Sequence, residues 1–322
     1  MGLPLHLRRR LGRPVFLLLV LIPALVAFPG ARAEAGPPLR FGVLPVIQAL
    51  PVFLAQDRGL FAAAGLQVEL VPFRTALDKD VALRAGRIDG YFGDLFTPIL
   101  LKAGGTDVRI VARNYRPGPN SRSFAVLAAP NSGLKTAADL AGVPVAVSSN
   151  SIIDYLTTDL LARAKVPRDK IAVIEIKNIA LRLQMLLAGQ VKAATLPEPL
   201  ATLAEKKGAL ALADDRESPL TATALVFSRE VIETRGPEVR QFLAACGRAA
   251  EIIRRDPSGA RPTLLQHVNM PDPLKNDYPL PAFPALDLPE AKHLDEAVNW
   301  LFGRGAIKNK PRAADLLDDR FL

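Results

Sequence analysis

Cysteine, histidine and tryptophan are nearly missing from this chain of 322 residues, which has one Cys, one Trp and three His. A single thiol, Cys246, excludes an intramolecular disulfide, so the fold must rest on apolar burial, and Cys246 itself reads as a small core residue on a helix. No His-Glu-x-x-His and no Cys/His spacing is present, so no metal site can be assembled, and no cofactor is expected. Ser-His-Asp order, the P-loop and the dinucleotide glycine pattern are also absent, which removes the usual signatures of hydrolase and nucleotide chemistry. His267 and His293 stand in the C-terminal third, away from any strand end that the pattern predicts.

Hydrophobic residues make up 49% of the chain and mean hydropathy is +0.18, enough for a substantial core. Part of this belongs to residues 1–33, where Arg8, Arg9, Arg10 and Arg13 precede an apolar run at 15–28 and then Ala31-Arg32-Ala33. That is the order of a secretory signal with cleavage after Ala33. The run is broken by Pro23 and falls short of the ~18 residues of a membrane span, so removal is expected and an anchor is not. No cysteine follows to carry a lipid. Residues 1–33 hold five arginines and no acid, leaving 36 basic against 32 acidic residues, a net of +4. So mild a charge argues against nucleic acid as a partner. The product expected is a soluble monomer in a periplasm.

From residue 41 the pattern alternates. An apolar strand at 41–44 leads to a loop with Pro45, Gln48 and Pro51, then a helix at 52–64 that Gly65 ends by taking φ > 0, then a strand at 67–71. Helices at 75–85 and 95–103 alternate with strands at 88–94 and 108–115, which predicts parallel β-α-β units. The stretch RPGPNSR at 116–122 interrupts. A strand at 124–129 and a short helix at 136–140 follow. A smaller copy then begins, with strands at 144–147, 171–176 and 191–196 and helices at 152–165, 179–188 and 199–207. One more apolar run spans 222–227, and a helix is predicted over 237–255. Eight prolines between 256 and 289 alternate with Leu264, Leu265, Tyr278, Phe283 and Leu286, which reads as an ordered wrap across a surface. A helix at 290–302 and a tail close the chain.

Three segments carry a resemblance: LAQDRGLFAAAGLQVEL, LRAGRIDGYFGD and AVNWLFGRGAIKNKPRAADLLDDRFL. Together they resemble the periplasmic solute-binding proteins of ABC importers, in the group that takes alkanesulfonates, taurine, nitrate and thiamine-pyrimidine precursors. The resemblance implies an α/β, two-lobed periplasmic binding protein fold of type II, with two doubly wound sheets joined by two hinge crossings. Lobe one would hold residues 38–117 plus 226–322 and lobe two 118–225, crossing near 116–122 and 219–223. It further implies a small-molecule ligand between lobes that close on it, and a permease of the inner membrane with a cytoplasmic ATPase as partners. A chorismate dehydratase-like enzyme on the same fold and a ligand-sensing module are the rival readings; the predicted export signal opposes the first.

In such sheets ligands sit beyond the carboxyl ends of strands, which selects the candidate contacts. Pro45 and Gln48 lie in the first loop. Ser148, Ser149, Asn150 and Ser151 precede a helix, where free N–H groups and hydroxyls favour an anion or a carbonyl oxygen, although one such residue also suffices as a simple cap. Asp94 and Glu198 end matching strands. Each reads equally as a helix cap, but if either reaches the ligand, a nitrogenous heterocycle or amine is favoured over a bare sulfonate. Asn114 ends the fourth strand, and Tyr155 lies one turn past the serines, where it could stack on a ring or pack in the core. No catalytic residue is assigned.

Overall fold

The computed structural model describes residues 36–149 and 151–322. The predicted signal and Asn150 lie outside the described residues. Two five-stranded sheets organise the chain. The first run comprises β1 (Leu39–Val43), α1 (Leu50–Asp57), α2 (Leu60–Ala63), β2 (Val68–Pro72), α3 (Ala76–Arg84), β3 (Gly90–Asp94), α4 (Phe96–Ala103) and β4 (Val108–Tyr115). The chain then crosses to β5 (Phe124–Ala128), β6 (Val145–Val147), α5 (Ile152–Arg163), β7 (Val173–Glu175), α6 (Ile179–Leu187), β8 (Ala193–Pro197), α7 (Leu200–Lys206) and β9 (Leu210–Asp214). It returns through β10 (Thr223–Ser228) to α8 (Arg229–Thr234), α9 (Gly236–Arg255), α10 (Pro257–His267) and α11 (Ala291–Gly303).

The sheet orders are β2-β1-β3-β10-β4 and β7-β6-β8-β5-β9, so the second repeats the first strand for strand. The expected parallel units are present, with β1 parallel to β2 and β3 and β6 parallel to β7 and β8. β10 runs antiparallel to β3 and β4, and β5 antiparallel to β8 and β9. The cause is the crossing: Thr223 pairs with Asp94 and Phe124 with Pro197, so each crossing strand enters its sheet at a carboxyl end and must run backwards. β10 therefore lies wholly in the first sheet, including residues 223–225, which were expected in the second half.

Other boundaries shift for local reasons. The helix expected over 52–64 is two pieces, because Gly59 adopts φ 65° between α1 and α2, whereas Gly65 takes φ 74° as anticipated. β9 was not anticipated, since LALAD carries little of the branched or aromatic signature of a strand. The proline-rich wrap begins as helix α10, with Pro257 in its first turn, where a missing N–H costs nothing. In the core of the first half, Phe242 of α9 stacks on Phe61 with ring centroids 4.9 Å apart, tilts against Phe41 at 4.4 Å and stands edge-on to Phe227 at 5.5 Å. Cys246 is buried on the same helix.

Gly90 sits where β3 is hemmed by β10. A Cβ there would come within 2.5 Å of the Phe227 ring and 2.6 Å of the Val226 carbonyl oxygen. Gly90→Ala is therefore expected to lower the unfolding free energy by about 1–3 kcal/mol, read from the urea midpoint, because backbone cannot yield as a side-chain tip can. An unchanged midpoint would show that the strand spacing is wrong.

Candidate functional site

Both crossings enter at carboxyl strand ends, so the ends of β3 and β8 face the same inter-sheet region. One continuous apolar cluster joins Tyr91, Leu95 and Phe96 of the first half to Val145, Val147, Ile152 and Ile153 of the second. The loop after β1 and the turn after β6 are thereby both at the carboxyl edges of their sheets. Pro45 and Gln48 are half-buried in the former, which contains a short 3-10 turn at Ile47–Ala49.

Most polar candidates already have partners. Asn114 is fully buried, and its Nδ2 donates to the Gln48 carbonyl at 2.7 Å, tying β4 to the first loop. Asp94 Oδ1 accepts from the backbone N–H of Phe96 at 2.9 Å and of Thr97 at 2.7 Å, capping the start of α4. Glu198 is buried; Oε1 accepts from Arg122 Nε at 2.6 Å and Oε2 from Thr202 Oγ1 at 2.8 Å. Tyr155 packs against Phe96 and edge-on to Trp300, with centroids 5.3 and 5.5 Å away. Burial pushes its phenol pKa well up, so it stays neutral.

The serine turn divides its labour. Ser151 caps α5, its Oγ accepting from the Ile153 N–H at 3.2 Å and donating to the Ser148 carbonyl at 2.6 Å. Ser148 Oγ accepts at 2.6 Å from Arg182 Nη2, and Ser149 is half-buried beside it. First-turn N–H groups of α5 point out of the helix at its positive end.

Arg182 is the residue that sequence reasoning missed. It is fully buried, and its guanidinium donates to the Ile176 carbonyl at 3.0 and 2.6 Å, to the Thr195 carbonyl at 2.9 Å and to Ser148. One side chain thus joins the carboxyl ends of β6, β7 and β8. Among the described residues no carboxylate pairs with it, and burial alone pulls its pKa down to about 10, so it remains charged at neutral pH. A signal existed: Arg182 falls on the α6 face that carries Leu183 and Leu186, both buried. Lys79 occupies the fourth position of α3, as Arg182 does of α6, and is also fully buried. Its ammonium, however, bonds Asp80 at 2.9 Å and lies 3.6 Å from the Tyr91 ring centroid.

The two crossings are pinned together by Asp215, whose buried carboxylate accepts from the Ser123 and Phe124 N–H groups at 2.8 and 3.0 Å. Burial nonetheless outweighs those bonds and pushes its pKa up to about 6.

Among the described residues, no group of three or more His, Cys, Asp or Glu could hold a metal ion, and no helix is long and apolar enough to cross a membrane. Two sheets of this order, linked by two crossings, define the two-lobed α/β fold of periplasmic binding proteins. The chain belongs to the NMT1/THI5 like family, whose profile matches residues 47–260. Among solved structures it is similar to the aliphatic sulphonate binding protein SsuA of Escherichia coli, at 21% identity and a TM-score of 0.78, over 88% of this chain and 93% of that one. The alkanesulfonate-binding SsuA of Xanthomonas axonopodis pv. citri, bound to MOPS, aligns at 22% identity and a TM-score of 0.73, over 88% and 98%. The desulfurization enzyme DszB shares the fold at 15% identity and a TM-score of 0.66, over 88% and 97%. No curated protein sequence matches the chain.

The Asp215 carboxyl holds its proton more tightly folded, at about 6, than at the ordinary 3.8. The stability it contributes is thus full below pH 4, falls as pH rises from 4 to 6, and is flat above. The loss is on the order of 3 kcal/mol. Asp215→Asn, which keeps the accepting oxygen, is expected to remove that slope from a series of urea melts; an unaltered slope would place the titration elsewhere.

Proposed function

We propose that this chain is the substrate-binding component of an ABC importer, exported to the periplasm by residues 1–33, and that its ligand is a small organic anion of the sulfonate type. The lobes would follow the two sheets, divided at the crossings. The observation that carries the reading is the buried, carboxylate-free Arg182 directly behind the serine turn. A buried positive charge is costly until an anion answers it, and the α5 N-terminus adds hydroxyls and N–H groups of the same polarity. Asp94 caps a helix and Glu198 pairs with Arg122, which withdraws the argument for an amine or heterocycle. The serines, Asn150 and the Pro45–Gln48 loop are the contacts proposed. The family and the sulfonate-binding neighbours support transport. We read the protein as a binder without a chemical step, acting with a permease and its cytoplasmic ATPase.

Only a ligand that binds the closed state better can shift the lobes. A thermal-shift panel tests the charge. Short alkanesulfonates are expected to raise the melting temperature, since 100 Kd of ligand adds about 2.7 kcal/mol, while aminopyrimidines leave it alone. Stabilisation by aminopyrimidines alone would overturn the reading. Replacing Ser148, Ser149 and Asn150 together with Ala is expected to weaken sulfonate binding about ten-fold or more in calorimetry while the protein still folds, at a lower melting temperature because Arg182 loses one partner. Unchanged affinity would remove the turn from the site.

A further inference from the structure

The C-terminal helix α11 is fixed at both ends to the edge strand of the first sheet. Before it, the Arg113 N–H donates to the Asp287 carbonyl and the Arg113 guanidinium pairs with the Asp287 carboxylate. After it, the Ile110 N–H donates to the Leu316 carbonyl at 2.7 Å and the Asp318 N–H to the Ile110 carbonyl at 3.0 Å. Between these anchors the helix reaches into the other half. The Trp300 ring stands edge-on to Tyr155, at 5.5 Å and 89°, and edge-on to Phe96, at 5.9 Å and 79°. One turn on, the Arg304 guanidinium lies 4.9 Å from the Trp300 ring centroid and donates to Asp154 Oδ2 at 2.8 Å. Asp154 is fully buried and Arg304 only partly, so this pair is shielded on its acidic side. Phe96 opens α4 two residues after Asp94, and Asp154 and Tyr155 lie in the first turn of α5, which starts at Ile152 after the serine turn.

We propose that Trp300 and Arg304 are positioning residues for the ligand-binding turn. Carried on a helix that belongs to the first sheet, they hold the first turn of α5 against the first turn of α4. They add an anchored side-chain link to the apolar contact between halves that the chain joins only twice. The link sets the separation of the halves before ligand arrives, and so the share of molecules ready to bind. Its importance for binding rests on the anion reading above, but its mechanical content does not.

The test therefore uses ligand-free protein. Spin labels at Glu69→Cys on β2 and Lys177→Cys beyond β7 report the distance between halves, since native Cys246 is buried and stays unlabelled. Arg304→Gln and Trp300→Ala are expected to broaden the distance distribution toward longer separations and to speed amide exchange at residues 151–157. Arg304→Lys and Trp300→Phe, which keep the charge and a ring, should restore most of the parent distribution. A purely local stabilising role would lower the melting temperature and leave the distances unmoved. Lys292→Ala, on the exposed face of the same helix, is the control and should change nothing. Should Arg304→Gln fail to fold, Asp154→Asn breaks the same pair from the other side. Parent-like distances in the folded variants, or an equal change in the control, would overturn the proposal.

Discussion

A single buried guanidinium holds the second sheet's strand ends in place. Arg182 bonds the Ile176 carbonyl just past β7, the Thr195 carbonyl within β8 and the hydroxyl of Ser148 just past β6. Only arginine offers planar, forked donors that reach three strands at once, and a lysine could not copy that geometry. The arrangement has an electrostatic consequence. Carbonyl dipoles stabilise the charge without neutralising it, so the turn in front of Arg182 keeps a positive potential. Thr157 of α5 reinforces the spot through a 2.6 Å hydroxyl contact with Thr195, which fixes the helix whose N-terminus shares that turn.

Topology brings this charged turn opposite the first sheet. Each half contributes four strands of its own and borrows a fifth that arrives from the crossing. Because the borrowed strands start beside Asp94 and Pro197, the crossings lie at the carboxyl edges of both sheets. Asp215 binds one crossing to the other, and Arg122, on the outgoing crossing, is held by Glu198 and Glu205. The ion pair of Arg122 with Glu198 is almost fully buried, at 10% and 3% side-chain exposure. Its loss would strand a buried charge, so Arg122 and Glu198 hold the outgoing crossing against the end of β8.

Much of the fold was readable because it is local. Alternating apolar runs, glycine stops such as Gly65 and the Pro-Gly interruption at 116–122 locate most strands and helices to within a residue or two. What could not be read depends on partners distant in sequence. The direction of β5 and β10 follows from where a crossing enters a sheet, which no periodicity encodes. Asp94 and Glu198 were correctly placed at strand ends, yet whether each is free depends on neighbours: Asp94 is used by its own helix, and Glu198 by Arg122, 76 residues away. Arg182 shows the opposite failure. A charge on an apolar helical face is visible in IALRLQMLL, but its burial depends on acceptors at Thr195 and Ser148 that the helix's own sequence does not show. In the serine turn, Ser151 serves as the cap, the plainer of the two roles open to it, and Ser148 links to Arg182.

The most direct test is a crystal structure of the protein extracted gently from its native cells with whatever ligand it retains. The account predicts an acidic group of that ligand within hydrogen-bonding distance of the turn at 148–151, in front of Arg182. A ligand presenting a neutral or cationic group there, or seated away from the carboxyl ends of the two sheets, would contradict it.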